Sequence, residues 1–140
     1  MPIVIDASGL AEVVARTERA PDVEAAFAGE ELIAPDLVNI EVLAVLRKWV
    51  SRSWIAPDAA NRAVRNLAEA PIRRYPMDAL VEPIWELRHN LTPYDAAYVT
   101  LARWAGCPLL TLDERLTRAP DLGVALVRVR DGGAGRPRRP

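Results

Sequence analysis

Short apolar runs alternate with segments of helical spacing along almost the whole chain. Ile3-Val4-Ile5 is stopped by Asp6 and 108–112 is a second apolar run, while 31–34, 72–75 and 124–129, each with a charged residue, also suit strands. Unbroken apolar runs of this length read as strands buried on both faces. The intervening segments, about 8–14, 22–28, 36–53, 57–70, 77–88, 92–105 and a short one from Glu114, read as helices. Strands that alternate with helices build a parallel sheet covered on both sides. The predicted class is therefore α/β, a three-layer fold with a central, mostly parallel sheet flanked by helices.

Local signals place the boundaries. Ser8 stands where it caps the first helix, Pro21 opens the second and Gly29 ends it. In 36–53 the apolar residues Leu37, Ile40, Ala44, Val45 and Val50 recur at helical spacing. Pro83 marks a kink or a boundary within 77–88. The clearest helix is 92–105, with Tyr94, Ala97, Tyr98, Leu101, Ala102 and Ala105 at spacings of three and four before Gly106.

With 140 residues, 51% of them apolar, the chain supports one domain and a core that needs no disulfide. Residues 1–130 are expected to form it, and the Gly-, Pro- and Arg-rich residues 131–140 a disordered tail. Cys107 is the single cysteine and reads as a buried structural thiol, which suits a reducing compartment, the cytoplasm. No run is long enough to cross a bilayer, and Met1-Pro2-Ile3 does not begin a signal peptide. The net charge of −1 hides an asymmetry: residues 1–41 carry nine acids and two bases, residues 44–74 two acids and seven bases. Such a split fits either an acidic site beside a basic face or helix surfaces that simply differ.

Four acids carry the functional reading. Asp6 follows the first strand directly, and Asp113 follows the apolar run that ends at Leu112. Ligands of open parallel sheets gather beyond the carboxyl ends of the strands, so these two acids share an edge if their strands are neighbours. Ser8 and Thr111, each two residues away, are supporting hydroxyls. Each acid also has a purely structural explanation. Asp6 and Asp113 suit N-caps, and Thr92-Pro93-Tyr94-Asp95 resembles a capping box. Glu41 shares a helical stripe with Leu37, Val38, Ala44 and Val45, where an ionised carboxylate is costly unless paired with an Arg or bound to a cation.

Capping would not explain a convergence of all four, because like charges raise one another's pKa. A divalent cation offsets that repulsion, and hard oxygen ligands select Mg²⁺ or Mn²⁺. Such a metal generates a hydroxide nucleophile and stabilises a pentacoordinate phosphate without a histidine. The only histidine, His89, reads as a surface or helix-end residue.

The order Asp6-Ala7-Ser8 after a strand, then Pro35-Asp36-Leu37-Val38-Asn39-Ile40-Glu41-Val42, then Leu91-Thr92-Pro93-Tyr94-Asp95-Ala96-Ala97-Tyr98, then Leu110-Thr111-Leu112-Asp113 resembles the PIN domain. The similarity is greatest to the VapC-type toxins of bacterial toxin–antitoxin pairs and spans about residues 3–129. It implies a PIN-like fold and a Mg²⁺- or Mn²⁺-dependent endoribonuclease acting on structured RNA such as tRNA or an rRNA loop. By that resemblance Asp6, Glu41, Asp95 and Asp113 are both the metal-binding and the catalytic positions, with Thr111 and Ser8 supporting them. It further implies a homodimer and a cognate VapB-type antitoxin. That partner is expected to send a basic side chain into the acidic pocket, and Val13, Val14, Val23 and Phe27 suit either a groove for its peptide or, the safer reading of each, core packing.

Arg47, Lys48, Arg52, Arg62 and Arg65 are candidate contacts for RNA phosphates. Trp49 and Trp54 suit either base stacking or packing. Two other Asp-after-strand enzymes fit poorly. A dehalogenase-like phosphatase needs a second Asp where Ser8 stands, and a receiver domain needs a late Lys where the only one is Lys48. A DNA-directed nuclease and a catalytically silent PIN-fold module that binds RNA or protein are the alternatives on the same fold.

Overall fold

The computed structural model describes residues 1–131. The tail expected at 131–140 lies outside them except for Asp131. Four strands form one all-parallel sheet: β1 (Ile3–Ile5), β2 (Leu32–Pro35), β3 (Ile72–Tyr75) and β4 (Leu109–Leu110), in the order β3-β2-β1-β4. The chain steps outward from β1 through β2 to β3, then returns to add β4 on the other side of β1. The topological switch therefore falls between β1 and β4, where Val4 pairs with Leu109 and Ile5 with Leu110.

Helices cover both faces, as the alternation predicts. On one side α1 (Ala7–Ala15) packs against α2 (Ala20–Ala26), α3 (Val38–Ser51) and α4 (Pro57–Glu69). On the other side α6 (Pro93–Ala105) lies across β1, β2 and β4, with α5 (Val81–Glu86) against it. A short α7 (Glu114–Arg118) follows β4. The core is continuous between the layers: Val4, Ile5, Leu10, Val23, Val38, Val42, Leu101, Leu109 and Leu110 are all buried. Gly9 sets the distance between α1 and the sheet, since a Cβ there would stand 2.8 Å from Leu110 Cδ2 and 3.3 Å from Ile5 Cγ1. Any larger residue would push α1 away from the end of β1, against close-packed neighbours.

Several expectations need correction. The cap of α1 is Asp6 rather than Ser8: its carboxylate accepts from Gly9 N at 3.2 Å, which places Ser8 inside the first turn. The segment 77–88 is not one helix. A 3₁₀ turn, Asp78–Leu80, precedes the six-residue α5, and Pro83 sits in the first turn of α5, where its missing N–H costs nothing. The expected strand 124–129 reduces to one parallel bridge, Leu109 with Leu126. Its apolar residues are partly buried, but β4 is two residues long and only Leu109 offers this edge both an N–H, to Ala125 O, and a carbonyl, to Val127 N. Tyr94, read as part of the apolar face of α6, is 64% exposed.

Val13, Val14, Val23 and Phe27 do not line an open groove, since all four pack into or against the core. Cys107 is buried and burial raises its thiol pKa, in keeping with a structural role. Among the described residues no helix is long and apolar enough to cross a membrane.

Candidate active site at the carboxyl ends of β1 and β4

Adjacency of β1 and β4 brings Asp6 and Asp113 to one edge of the sheet, and the backbone confirms the join through Asp6 N donating to Leu110 O at 3.1 Å. Asp6 is 5% exposed yet well supplied with donors. Ser8 Oγ donates to Oδ1 at 2.5 Å and Thr111 Oγ1 to Oδ2 at 2.5 Å. Thr111 Oγ1 also accepts from Asp113 N at 3.0 Å, and Ser8 Oγ accepts from Leu112 N at 2.9 Å. Ser8 and Thr111 thus tie the end of β1 to the segment after β4, the supporting position read from their spacing.

Glu41 enters from the first turn of α3 and Asp95 from the first turn of α6, on opposite sides of the sheet. Glu41 makes no ion pair among the described residues, so the expected Arg partner is replaced by a hydroxyl: Tyr98 O–H donates to Oε2 at 3.1 Å. The other oxygen, Oε1, is buried and has no hydrogen-bond partner. Asp95 N donates to the Thr92 cap at 3.2 Å, and the Thr92 hydroxyl also favours the charged form of the Asp95 carboxylate.

Charge links the acids in pairs: Asp6 with Asp113, Glu41 with Asp6 and Asp95, and Asp95 with Asp113. Burial pushes the Asp6 pKa up against the hydrogen bonds of Ser8, Thr111 and Gly9, and the charge on Asp113 raises it further. Burial also raises Glu41, opposed by the Tyr98 hydroxyl and reinforced by the charges of Asp6 and Asp95. Asp95 is raised by burial and by Asp113, with Arg115 acting the other way. Tyr98 is held protonated by burial and by the negative charges of Glu41 and Asp6, so it serves Glu41 only as a donor.

Asp113 is the exception. Its pKa is lowered, chiefly by the hydrogen bonds of Arg115, whose Nε and Nη2 lie 3.3 and 2.8 Å from the two carboxylate oxygens. The same Nη2 reaches Asp95 Oδ2 at 3.8 Å. Asp113 also caps α7 by accepting from Arg115 N at 2.9 Å. The capping roles of Asp6, Asp113 and Thr92 are therefore real. Among the described residues no three or more His, Cys, Asp or Glu side chains stand close enough together to hold a metal ion as they are placed.

Two contributors escaped the sequence reading. Tyr98 lies three residues after Asp95 on the same helix face, so its spacing was the available signal. Arg115, two residues after Asp113 at a helix start, carried none beyond proximity. The candidate RNA contacts do not join the cluster. Arg47, Lys48 and Arg52 are exposed on α3, with Lys48 about 10 Å along the helix from Glu41 at 1.5 Å per residue. Arg52 stacks 5.0 Å over Trp54. Arg62 and Arg65 are exposed on α4, Trp49 is buried in the core, and His89 is a surface residue.

Comparison with known proteins places this arrangement. The PIN domain family profile matches residues 3–122. Ribonuclease VapC9 of Mycobacterium tuberculosis is 37% identical over 115 residues, which cover 82% of this chain and 88% of that protein. Ribonuclease VapC3 of the same organism is 36% identical over 118 residues, covering 84% and 86%. Among solved structures, M. tuberculosis VapC20, described as a sarcin-ricin loop cleaving toxin, superposes with a TM-score of 0.60 at 19% identity, covering 84% of this chain and 95% of that one. Rickettsia felis VapBC2, bound to a DNA fragment from their promoter, gives a TM-score of 0.60 at 12% identity, covering 90% and 97%. With a profile match across most of its length and relatives above 30% identity covering most of both chains, this chain belongs to the PIN-domain family, among its VapC ribonucleases.

Proposed function

We propose that this protein is the toxin of a toxin–antitoxin pair, an endoribonuclease that hydrolyses phosphodiester bonds in structured RNA at the Asp6–Glu41–Asp95–Asp113 centre with Mg²⁺ or Mn²⁺. The observation that supports this reading is Glu41 Oε1, buried and unpartnered, on an acid that feels the charges of Asp6 and Asp95. A buried acceptor without a donor, beside acids whose pKa is pushed up by burial and mutual charge, fits a hard cation. Asp6, Glu41, Asp95 and Asp113 would hold it through oxygen. When bound, such an ion supplies an activated water and charge neutralisation at phosphorus.

The chain's own residues do the rest. Ser8 and Thr111 fix both oxygens of Asp6, so that carboxylate keeps one orientation when its charge is engaged. Tyr98 holds Glu41 Oε2 and leaves Oε1 as the free ligand atom.

The antitoxin partner follows from the same pocket. Arg115 shows that a guanidinium fits against Asp113 and Asp95, and a partner's Arg could occupy the same chemistry. Expression of the protein alone should arrest bacterial growth, and co-expression with the product of an adjacent small gene should relieve the arrest. Growth unaffected by the wild type would count against the toxin reading.

A homodimer is proposed from the apolar surface. Val81, Trp85, Tyr94 and Trp104 are each more than 60% exposed, and a cavity of about 230 Å³ lined by Val81, Ile84, Trp85, Arg88 and Pro93 lies between α5 and the start of α6. Ile40 on α3 is also 69% exposed. A second copy would cover it. Light scattering at micromolar concentration should give a dimer mass, and Trp85→Glu should shift it toward the monomer. A wild-type monomer would contradict the proposal.

A further inference from the structure

Arg115 is the only residue among those described that forms an ion pair with any of the four acids. Its guanidinium takes both oxygens of Asp113, through Nε at 3.3 Å and Nη2 at 2.8 Å, and the same Nη2 extends to Asp95 at 3.8 Å. Its own backbone N–H takes Asp113 Oδ1 as well, at 2.9 Å. The neighbouring Arg118 is engaged elsewhere, with Glu114 at 3.4 Å. Both ligand atoms of Asp113 are therefore committed to residue 115.

We propose that Arg115 is a resident cation of the site, a competitor built into the chain that a divalent metal must displace from Asp113 and Asp95. An arginine cannot vacate the position by losing its proton, so displacement is its only way out. The side chain is 75% exposed while Asp113 and Asp95 are 24% and 20% exposed, so the guanidinium stands on the solvent side and can swing clear without disturbing the core. Exposed ion pairs are individually weak, which makes the exchange reversible rather than a block. In this account Arg115 sets how much metal the site needs before it fills, and it keeps Asp113 charged and oriented until then.

This inference rests on the metal-binding reading of the four acids, and its test separates the two. Mn²⁺ binding to the RNA-free full chain is followed at low ionic strength by the electron paramagnetic resonance signal of free Mn²⁺. Arg115→Gln should bind Mn²⁺ about two- to fivefold more tightly than the wild type, the range open to an exposed pair. The difference should shrink as salt screens the competing charge. Arg115→Lys keeps the charge but not the fork, so its affinity should fall between the two, and it keeps the test decisive if the Gln variant does not fold. Equal or weaker binding by the variants, with normal binding by the wild type, would overturn the role of Arg115 and leave the metal site standing. No Mn²⁺ binding by any of the three would overturn both.

Discussion

Replacing Asp6 by Asn is expected to move activity and stability in opposite directions. On the proposed mechanism Asp6 is the buried carboxylate at the centre of the site, so its neutral isostere should lower RNA cleavage by more than about a hundredfold. The metal-free protein should become more stable, because burial already disfavours the charged form of Asp6. Asn keeps an acceptor for Gly9 N, and the hydroxyls of Ser8 and Thr111 can turn to accept from its amide.

The pH dependence follows with a definite sign. Asp6, Glu41 and Asp95 all have folded-state pKa values raised above their ordinary ones. The folded state then binds more protons than the unfolded state, so stability falls as pH rises from the ordinary carboxylate range of about 4 through the raised values. Asp113, with a lowered pKa, acts in the opposite sense and loses its contribution on acidification, but its partner Arg115 is largely exposed and the effect is small. Metal-free wild type should therefore lose melting temperature between mildly acidic and neutral pH, and Asp6→Asn should show a flatter profile. Thermal melts across that range check this. An Asn variant that is less stable yet fully active would reduce Asp6 to a helix cap.

Thr111→Val should carry the second large effect. The buried Thr111 hydroxyl gives its proton to Asp6 Oδ2 and accepts from Asp113 N, so one oxygen joins two of the acids. Valine has nearly the same shape and neither bond. It would leave a buried carboxylate oxygen and an N–H unpaired, at a cost of about 1–3 kcal/mol in urea unfolding. Cleavage should fall about 10- to 100-fold through the loosened carboxylates. Thr111→Ser, which retains the hydroxyl, should recover most of both. Equal rates for Val and wild type would show that Thr111 does not orient the site.

The sheet was legible because its strands are short, apolar and regularly interleaved with helices, and the shared edge of Asp6 and Asp113 followed once β1 and β4 were neighbours. Capping and a shared site could not be separated from sequence, since each asks for Asp after a strand, and the fold makes caps of Asp6 and Asp113 while bringing both to the same edge of the sheet. The last strand was misread because the apolar residues at 124–129 report partial burial, whereas strand length depends on a partner edge that β4 is too short to provide. Glu41 was recognised as anomalous on an apolar stripe, but its actual partner, Tyr98, comes from a helix across the sheet, and only the tertiary structure brings the two together. The basic residues of α3 and α4 illustrate the converse. Their clustering in sequence is real, yet the helix axis carries them away from the acids, so their charge alone does not place them at the site.

The central claim, a metal-dependent ribonuclease built on four carboxylates, is tested most directly by incubating the purified protein with structured RNA and with DNA of matched sequence. Each reaction runs with Mg²⁺, with Mn²⁺ and with chelator, beside Asp6→Asn. Cleavage of the RNA by the wild type in either metal is predicted, with none in chelator and none by the variant. Cleavage that persists in chelator, cleavage of DNA alone, or no cleavage under any metal condition would contradict it.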